Sequence, residues 1–418
     1  MEDAKRERGK STLAAASAAA ISLVLGDCDL LGEIFLHLAF PTDLVRAAAV
    51  CRRWLRAASD PAFLRRFRDA HPARLLGFYL SAFSANQSFR AAFVPMTPQT
   101  PDLDAVVRRG RFGLDSYVSR STRVMDCRNS RVVVNLFRDG YFTPAVHSPL
   151  HPARGLVTLP RLPVLDEKKN SLDDEKLYIF REVLSQECGN VQYYFRFELH
   201  YNQKDEQATA NVYKLQGDAW TMQISASTKI SSLLTSTLNT LSVFLVNDKI
   251  YMGITVHNIL VLDLTSSTFS TINYPMKYSN RVGKLMFDGE IMLARANGSG
   301  VYLVHVKELQ LCVWLHNGCH GSMGDWLLVN TIGLRDLCAN LKISNSTTED
   351  DYDCDAYIHA VGDNAEFIFL QMYQCVLYLD VRRSALQNVY NMTGKKAHVT
   401  LIHPYLMTWP PIFPVLKE

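Results

Sequence analysis

Residues 25–67 of the chain read LGDCDLLGEIFLHLAFPTDLVRAAAVCRRWLRAASDPAFLRRF. The apolar residues of this stretch recur every three or four positions, which is the period of an amphipathic helix. Three short helices are therefore predicted. The first has Asp27 or Asp29 as its N-cap and ends before Pro41. Its apolar stripe consists of Leu30, Leu31, Ile34, Phe35 and Leu38.

The second predicted helix has Thr42 or Asp43 as its cap and carries an apolar stripe from Leu44 to Leu55. The third begins at Ser59-Asp60-Pro61, a capping residue followed by proline at the first helical position, and His71-Pro72 closes it. Three such helices, about 45 residues in all, bury too little surface to be stable alone, and no set of metal ligands lies among them. We therefore expect this segment to complete its core against another protein.

The same stretch resembles an F-box of the kind abundant in plants, particularly grasses. That family shows a Leu-Pro start, a Leu-Leu-x-Glu-Ile helix, an Asp-Leu pair, a Val-Cys-(Arg/Lys)-x-Trp segment and a Ser-Asp-Pro turn. The residues that match in order are Leu25, Leu30, Leu31, Glu33, Ile34, Leu38, Asp43, Leu44, Val50, Cys51, Arg52, Arg53, Trp54, Ser59, Asp60 and Pro61. Gly26 departs from the pattern, since proline is usual there, and one extra residue precedes Leu30.

The resemblance implies that these helices dock on a Skp-type adaptor, which bridges to a cullin–RING ubiquitin ligase. The adaptor-facing residues that it implies are Leu25, Leu30, Leu31, Ile34, Leu44, Val50, Cys51 and Trp54. The same side chains could instead form the interior of a helical hairpin, and the sequence leaves both readings open. The arginines of the stretch are expected on solvated helix faces, where some could steer docking to an acidic adaptor.

The composition changes near residue 75 from helix-period to strand-period sequence. Three passages, 244–275, 284–316 and 365–392, share one layout in which a turn precedes a strand ending in a Leu-Asp-Leu-like triplet. The three turns are Asn247-Asp248, Asp288-Gly289 and Gly362-Asp363-Asn364, and the three triplets are Leu262-Asp263-Leu264, Val304-His305-Val306 and Leu379-Asp380-Val381.

A repeating four-stranded unit of about 40 to 50 residues is typical of a β-propeller blade. Residues 76–418 would fit six or seven blades, with one degenerate unit around Trp326. A pair of two-sheet sandwiches is the alternative. Segments 324–338 and 357–371 also resemble the propeller-type associated domain found downstream of many grass F-boxes. The predicted fold class is thus α+β multidomain, with a disordered tail at 1–22, a three-helix F-box at 23–72 and an all-β propeller domain at 76–418.

Catalytic and metal-binding motifs are weak in this sequence. Cys312, His316, Cys319 and His320 have zinc-ligand types but no Cys-x-x-Cys pair, and the Asp351, Asp353, Asp355 series lacks the glycine and glutamate of a calcium loop. No nucleophile elbow, P-loop or dinucleotide fingerprint occurs. We therefore expect no enzyme, no cofactor and no metal.

The charge and cysteine content bear on partners and compartment. A net charge of +3 gives no electrostatic case for nucleic acid or membrane binding. The basic residues Lys5, Arg6, Arg8 and Lys10 precede an apolar stretch and could mark a signal or transit peptide. Nine thinly spread cysteines are instead typical of reduced thiols, which favours the cytoplasm or nucleus.

The function expected from these observations is that of a substrate-recognition subunit of a Skp–cullin–F-box ubiquitin ligase. The β domain would recruit an unidentified target protein for ubiquitination. The alternatives are a non-degradative F-box scaffold and a propeller enzyme that acts on a small molecule.

Overall fold

The computed structural model describes residues 21, 23–38, 41–71, 74–84, 87–115, 122–138, 141–162, 177–188, 191–230, 242–255, 258–275, 290–296, 300–317, 326–341, 356–392 and 398–407. Apart from Ile21, the tail predicted at 1–22 and the Asp288-Gly289 turn lie outside these residues. The chain forms two compact units, one made of Met1–Leu75 with Leu406–Glu418 and the other of Leu76–Tyr405. No helix in the described part is long and apolar enough to cross a membrane.

The N-terminal unit contains four helices within the described residues: α1 (Cys28–Leu36), α2 (Pro41–Ala48), α3 (Arg52–Ser59) and α4 (Pro61–Ala70). The second helix predicted from the sequence is therefore two helices. It is interrupted by a turn at Ala49 and Val50, after which Cys51 is extended, with φ −161° and ψ 165°. Pro41 is the first residue of α2, the position at which its missing N–H has no helical partner to lose.

Two aspartates fix where helices begin. The Asp27 carboxylate accepts hydrogen bonds from the N–H groups of Asp29 (2.8 Å) and Leu30 (3.1 Å) at the start of α1. At the start of α4, Asp60 accepts from the Phe63 N–H at 2.8 Å. Such caps satisfy N–H groups that have no partner inside the helix. The predicted start of the last helix at Asp60-Pro61 and its end before His71 are confirmed.

The second unit is a six-bladed β-propeller in the part of the chain that the structure describes. Five blades are four-stranded antiparallel sheets and the sixth has three strands. Blade 1 is β3 (Arg123–Arg128), β4 (Arg131–Arg138), β5 (Tyr141–His147) and β6 (Leu156–Thr158); blade 2 is β7 (Leu177–Cys188), β8 (Val191–Asn202), β9 (Gln207–Gln216) and β10 (Ala219–Lys229); blade 3 is β11 (Val243–Val246), β12 (Lys249–Met252), β13 (Asn258–Asp263) and β14 (Thr268–Asn273).

The remaining blades continue this order around the ring. Blade 4 is β15 (Ile291–Arg295), β16 (Val301–Lys307), β17 (Gln310–His316) and β18 (Trp326–Gly333); blade 5 is β19 (Ala356–Val361), β20 (Phe367–Met372), β21 (Cys375–Asp380) and β22 (Ala385–Asn391). Blade 6 pairs β23 (His398–Leu406) with β1 (Leu75–Ser84), which in turn pairs with β2 (Gln87–Pro95). Helix α5 (Pro101–Arg109) follows β2, and α6 (Leu334–Asn340) follows β18.

Of the three repeats predicted from the sequence, 244–275 coincides with a whole blade, and 365–392 covers the last three strands of blade 5. The Asn247-Asp248 turn joins β11 to β12 with positive φ at both residues, and Leu262-Asp263 ends the third strand of blade 3. Leu379-Asp380 ends the third strand of blade 5 in the same way. These strands and turns confirm a propeller and exclude the sandwich alternative.

For the middle repeat, 284–316, the predicted assignment of strands is wrong by one strand. The triplet Val304-His305-Val306 lies in β16, the second strand of blade 4, and not at the end of the third. Trp326 begins the outer strand of this same blade, so no degenerate unit surrounds it. The error has a local cause, since β16 and β17 are both apolar strands of seven residues with a polar end, and their patterns are interchangeable.

Apolar cores form between neighbouring blades rather than inside any one of them. Phe197 of blade 2 shares a buried cluster with Leu245 of blade 3, and Val304 of blade 4 shares one with Leu370 of blade 5. Similar clusters join blades 1 and 2 and blades 3 and 4. Each sheet therefore depends on both neighbours for burial, which explains why the blades form only as a ring.

Blade 6 closes the ring, and an aromatic cluster holds it. Phe93 of β2 stacks on Phe112 at 4.1 Å between ring centroids, and Phe112 meets Tyr405 of β23 edge-on at 5.1 Å. The Tyr405 hydroxyl donates to the Ser130 carbonyl oxygen of blade 1 at 2.8 Å. On the other side, Phe78 of β1 packs on Phe369 of blade 5 at 4.8 Å. Blade 6 thus contacts both of its neighbours through buried side chains.

Tyr405→Phe should lower the free energy of unfolding by about 1 kcal/mol, because it removes the buried hydrogen bond to blade 1 and keeps the ring packing. Chemical denaturation of the full-length chain measures this. Tyr390→Phe is the control, since the Tyr390 hydroxyl makes no hydrogen bond in the described part of the chain. Equal stability of the two variants would show that the Tyr405 hydrogen bond does not stabilise the closed ring.

A candidate docking face on the N-terminal helices

Helix α1 is apolar on two adjacent faces. One face carries Leu31 and Phe35, which are 0% and 1% exposed and lie in the core of the N-terminal unit. The other carries Leu30 and Ile34, which are also four residues apart but are 46% and 42% exposed. Residues at i and i+4 lie on the same helix face. The second pair therefore forms an apolar stripe that the described residues of this unit leave exposed.

The inward face of α1 is fixed by aromatic side chains from the helices that follow it. Phe35 contacts Trp54 of α3 edge-on at 5.4 Å and Phe63 of α4 at 6.1 Å. The Phe63 ring also packs against the Phe67 ring. The His71 ring nitrogen Nε2 lies 2.6 Å from the carbonyl oxygen of Leu36. These contacts settle which side of α1 is buried and leave Leu30 and Ile34 pointing outward.

The structure divides the eight residues predicted to face an adaptor into three groups. Leu31 and Leu44 are fully buried in the core, and Leu25 and Trp54 are half-buried against it. The four that are exposed are Leu30, Ile34, Val50 and Cys51. Contact of the eight residues with an adaptor stays a prediction. In this structure only the exposed and half-buried residues have side-chain surface that a partner could contact.

Further exposed apolar residues were not singled out from the sequence. Val45 on α2 is exposed directly beside buried Leu44, and Leu23 and Val24 are exposed in the helical turn at 23–26. Where two apolar residues are adjacent in a helix, the sequence pattern cannot tell which one faces the core. The signal that was available is the excess of apolar positions over what one helix face can hold.

Gly26 and Glu33 belong to the matched motif but add little to this face. A Cβ at Gly26 would meet only the Arg53 guanidinium, at 3.7 Å, so sterics do not demand glycine there. Glu33 pairs with Arg66 of α4, and both side chains are more than half exposed. An ion pair so exposed contributes little stability.

The weak metal-binding signals of the sequence are not assembled in the described residues. Cys312 and His316 both lie in β17, and the His316 ring packs against Trp326 at 5.2 Å. Cys319, His320, Asp351, Asp353 and Asp355 lie outside the described residues. Within the described part, no group of three or more metal-ligand side chains comes together.

Both units match known protein families. Residues 28–69 match the F-box-like family, and residues 123–413 match the family described as F-box protein AT5G49610-like, beta-propeller. No curated protein sequence matches the chain significantly. An N-terminal F-box followed by a six-bladed propeller defines the class of F-box proteins with a propeller domain. The chain belongs to the AT5G49610-like F-box beta-propeller family, whose model spans more than half of it, and the predicted resemblance is confirmed.

Solved structures with related topology are distant. A protein from Lactobacillus plantarum is 11% identical, with a TM-score of 0.36 over 76% of this chain and 82% of that one. The GH93 alpha-L-arabinofuranosidase of Fusarium graminearum with arabinobiose is 10% identical, with a TM-score of 0.34 over 75% and 86%. The fucose-specific lectin from Aleuria aurantia is 14% identical, with a TM-score of 0.30 over 69% and 78%. Sugar binding is named only for the arabinofuranosidase and the lectin, and values this low transfer nothing to this chain.

Leu31→Ala and Leu30→Ala should differ sharply although the residues are neighbours. Removing the buried Leu31 side chain leaves a cavity and should cost about 2–5 kcal/mol, whereas removing exposed Leu30 should cost less than about 1 kcal/mol. Hydrogen–deuterium exchange of peptides within residues 28–70 of the full-length chain reports this local stability. Similar loss of protection in both variants would contradict the placement of the two leucines.

Proposed function

We propose that the chain is a substrate receptor of a Skp–cullin–F-box ubiquitin ligase. Its N-terminal helices bind a Skp-type adaptor, and its propeller binds a target protein. The observation that carries the proposal is the second apolar face of α1, where Leu30 and Ile34 are exposed in a segment that matches an F-box. We also place the protein in the cytoplasm or nucleus, where such ligases act, and assign it no catalytic site, metal or cofactor of its own.

Exposed apolar side chains at these positions support docking on energetic grounds. Completing the burial of a half-exposed leucine or isoleucine contributes about 1 kcal/mol. Leu30, Ile34, Val45 and Val50 are all between 42% and 64% exposed, so an adaptor that covered them would gain several such contributions. The same partner would stabilise four short helices that have only a small core of their own.

The propeller has the properties expected of a rigid receptor. Its blades are locked to one another by shared cores, so the loops that join the strands are presented from a fixed frame. A receptor of this kind accelerates ubiquitin transfer by holding target lysines near the charged enzyme, which raises their effective concentration.

The double substitution Leu30→Asp with Ile34→Asp should weaken adaptor binding at least about 100-fold. Burying a carboxylate without a partner in an apolar contact costs about 3 kcal/mol or more, and each 1.4 kcal/mol is a factor of ten. Titration of the purified adaptor into the full-length chain by calorimetry measures the change. Since both side chains are exposed, the variant should retain its helical circular dichroism signal.

The matched control is Leu327→Asp with Val329→Asp, which places the same charges at two exposed apolar positions of the outer strand of blade 4. This variant should bind the adaptor like the wild type. Wild-type affinity in the Leu30, Ile34 variant would reject the docking face. A non-degradative scaffold would pass the same binding test, and it is separated from a receptor by target half-lives in cells with wild-type or variant chain.

A further inference from the structure

A cavity of about 230 Å³ lies at the centre of the propeller, lined by the first strand of every blade. β3, β7, β11, β15, β19 and β23 all contribute residues to its wall. The titratable side chains among these residues are Arg123, Asp126, Cys127, Arg128, Glu182, Arg295, His359 and His403, while β11 contributes Val243 and Phe244, preceded by Ser242. Polar groups that line one cavity in such number are expected to have hydrogen-bond or ion-pair partners.

Asp126 at the wall of this cavity and Asp363 next to Arg128 already have partners. Asp126 accepts from the Ser185 hydroxyl at 2.7 Å and from the Cys127 N–H at 2.8 Å, and it lies 3.6 Å from the Arg128 guanidinium. Asp363 pairs with Arg128 at 3.1 Å, and the positive charges of Arg128 and Arg295 hold the pKa of its carboxyl below the usual range despite burial. The Arg128 guanidinium therefore has two carboxylate partners.

Arg295, the last residue of β15, is left without an acceptor. Its guanidinium makes no hydrogen bond and no ion pair within the described part of the chain, and its Nε is fully enclosed. Its one specific contact is with the ring of Phe244, 5.9 Å from the guanidinium carbon. Burial and the neighbouring Arg128 lower the pKa of Arg295 to about 9, so the group is still charged at pH 7. A guanidinium whose Nε is buried without an acceptor is costly, and a bound anion would offset that cost.

From this geometry we propose that the central cavity of the propeller is a binding site for a small oxyanion, a phosphate or carboxylate group, which pairs with Arg295. The cavity volume equals about eight water molecules at about 30 Å³ each, so it has room for a phosphate or a short carboxylic acid. His403 lines the same space, and its Nε2 also has no hydrogen-bond partner in the described residues. The site is independent of the F-box docking face.

Inorganic phosphate and malonate, each titrated at constant ionic strength with sodium chloride, should raise the melting temperature of the full-length chain saturably if they bind. Malonate serves as the carboxylate arm and phosphate as the phosphate arm. At least one should act on the wild type, and Arg295→Met should weaken that anion's binding about ten- to hundred-fold, since a charge-assisted hydrogen bond is lost. Arg383→Met is the matched control because Arg383 is highly exposed on a turn of blade 5, and it should respond like the wild type.

The unliganded proteins supply a second readout. Arg295→Met should melt at a higher temperature than the wild type without added anion, because it removes an enclosed charge that has no partner and keeps the apolar stem. A saturable wild-type response that is lost only in Arg295→Met supports the site. No saturable response to either anion, or an undiminished response in Arg295→Met, overturns it. If Arg295→Met does not fold, Arg295→Lys takes its place and should weaken binding, because lysine keeps the charge but loses the fork of donors.

The pH dependence tests the same site without altering Arg295. Burial raises the pKa of Glu182 to about 8, so this carboxyl is largely protonated at pH 7 and adds a negative charge to the cavity above pH 8. Burial lowers the pKa values of His359 and His403 to about 4, so neither changes charge between pH 7 and pH 9. Anion affinity should therefore fall as pH rises from 7 to 9, because Glu182 ionises and Arg295, with a pKa of about 9, begins to lose its proton; Glu182→Gln should remove the part of the fall that is due to Glu182. An unchanged or rising affinity over this range contradicts the proposal.

Discussion

The antiparallel pairing of β23 with β1 is the constraint on which the propeller depends. Each of the other five blades is built from consecutive hairpins and could pair its own strands without the rest of the chain. None of them could bury its faces alone, because the apolar clusters lie between blades. Only when strands from both ends of the domain meet in blade 6 does every blade have two neighbours. Closure therefore converts five local sheets into one cooperative unit, and the aromatic cluster around Tyr405 lies at that junction.

A different constraint governs the N-terminal helices. Four helices of eight to ten residues enclose one small core, in which Leu31, Phe35, Leu44 and Phe67 are almost fully buried. None of the described residues of this unit covers the outward face of α1, since the aromatic residues of α3 and α4 pack on the opposite side. The helices are thus neither a sealed bundle nor a disordered segment. A partner that buries this apolar surface would also stabilise the folded helices, so the stability of the helices and the affinity of the partner are thermodynamically linked.

Local chemistry made much of this fold predictable. The Asp60-Pro61 start of α4 and the Asn247-Asp248 hairpin follow from capping and from backbone preferences that act over a few residues. The break between α2 and α3 was missed because it contains neither glycine nor proline. The choice between Leu30 and Leu31 for the core was open because packing from α3 and α4 decides it, not helix period. For the same reason the strand alignment failed in blade 4, where two successive strands have interchangeable patterns.

The central cavity could not be predicted from the sequence, because its wall is assembled from six strands spread between residues 123 and 404. Apolar side chains are accepted at positions around it, since Val124, Leu293 and Ile402 also line the space. Closure of the ring therefore does not require charge there. Arg128 makes ion pairs with two carboxylates, as expected of a structural residue, whereas the guanidinium of Arg295, on the first strand of blade 4, makes no ion pair with any described residue. That asymmetry is the reason to treat Arg295 as a ligand group and Arg128 as part of the scaffold.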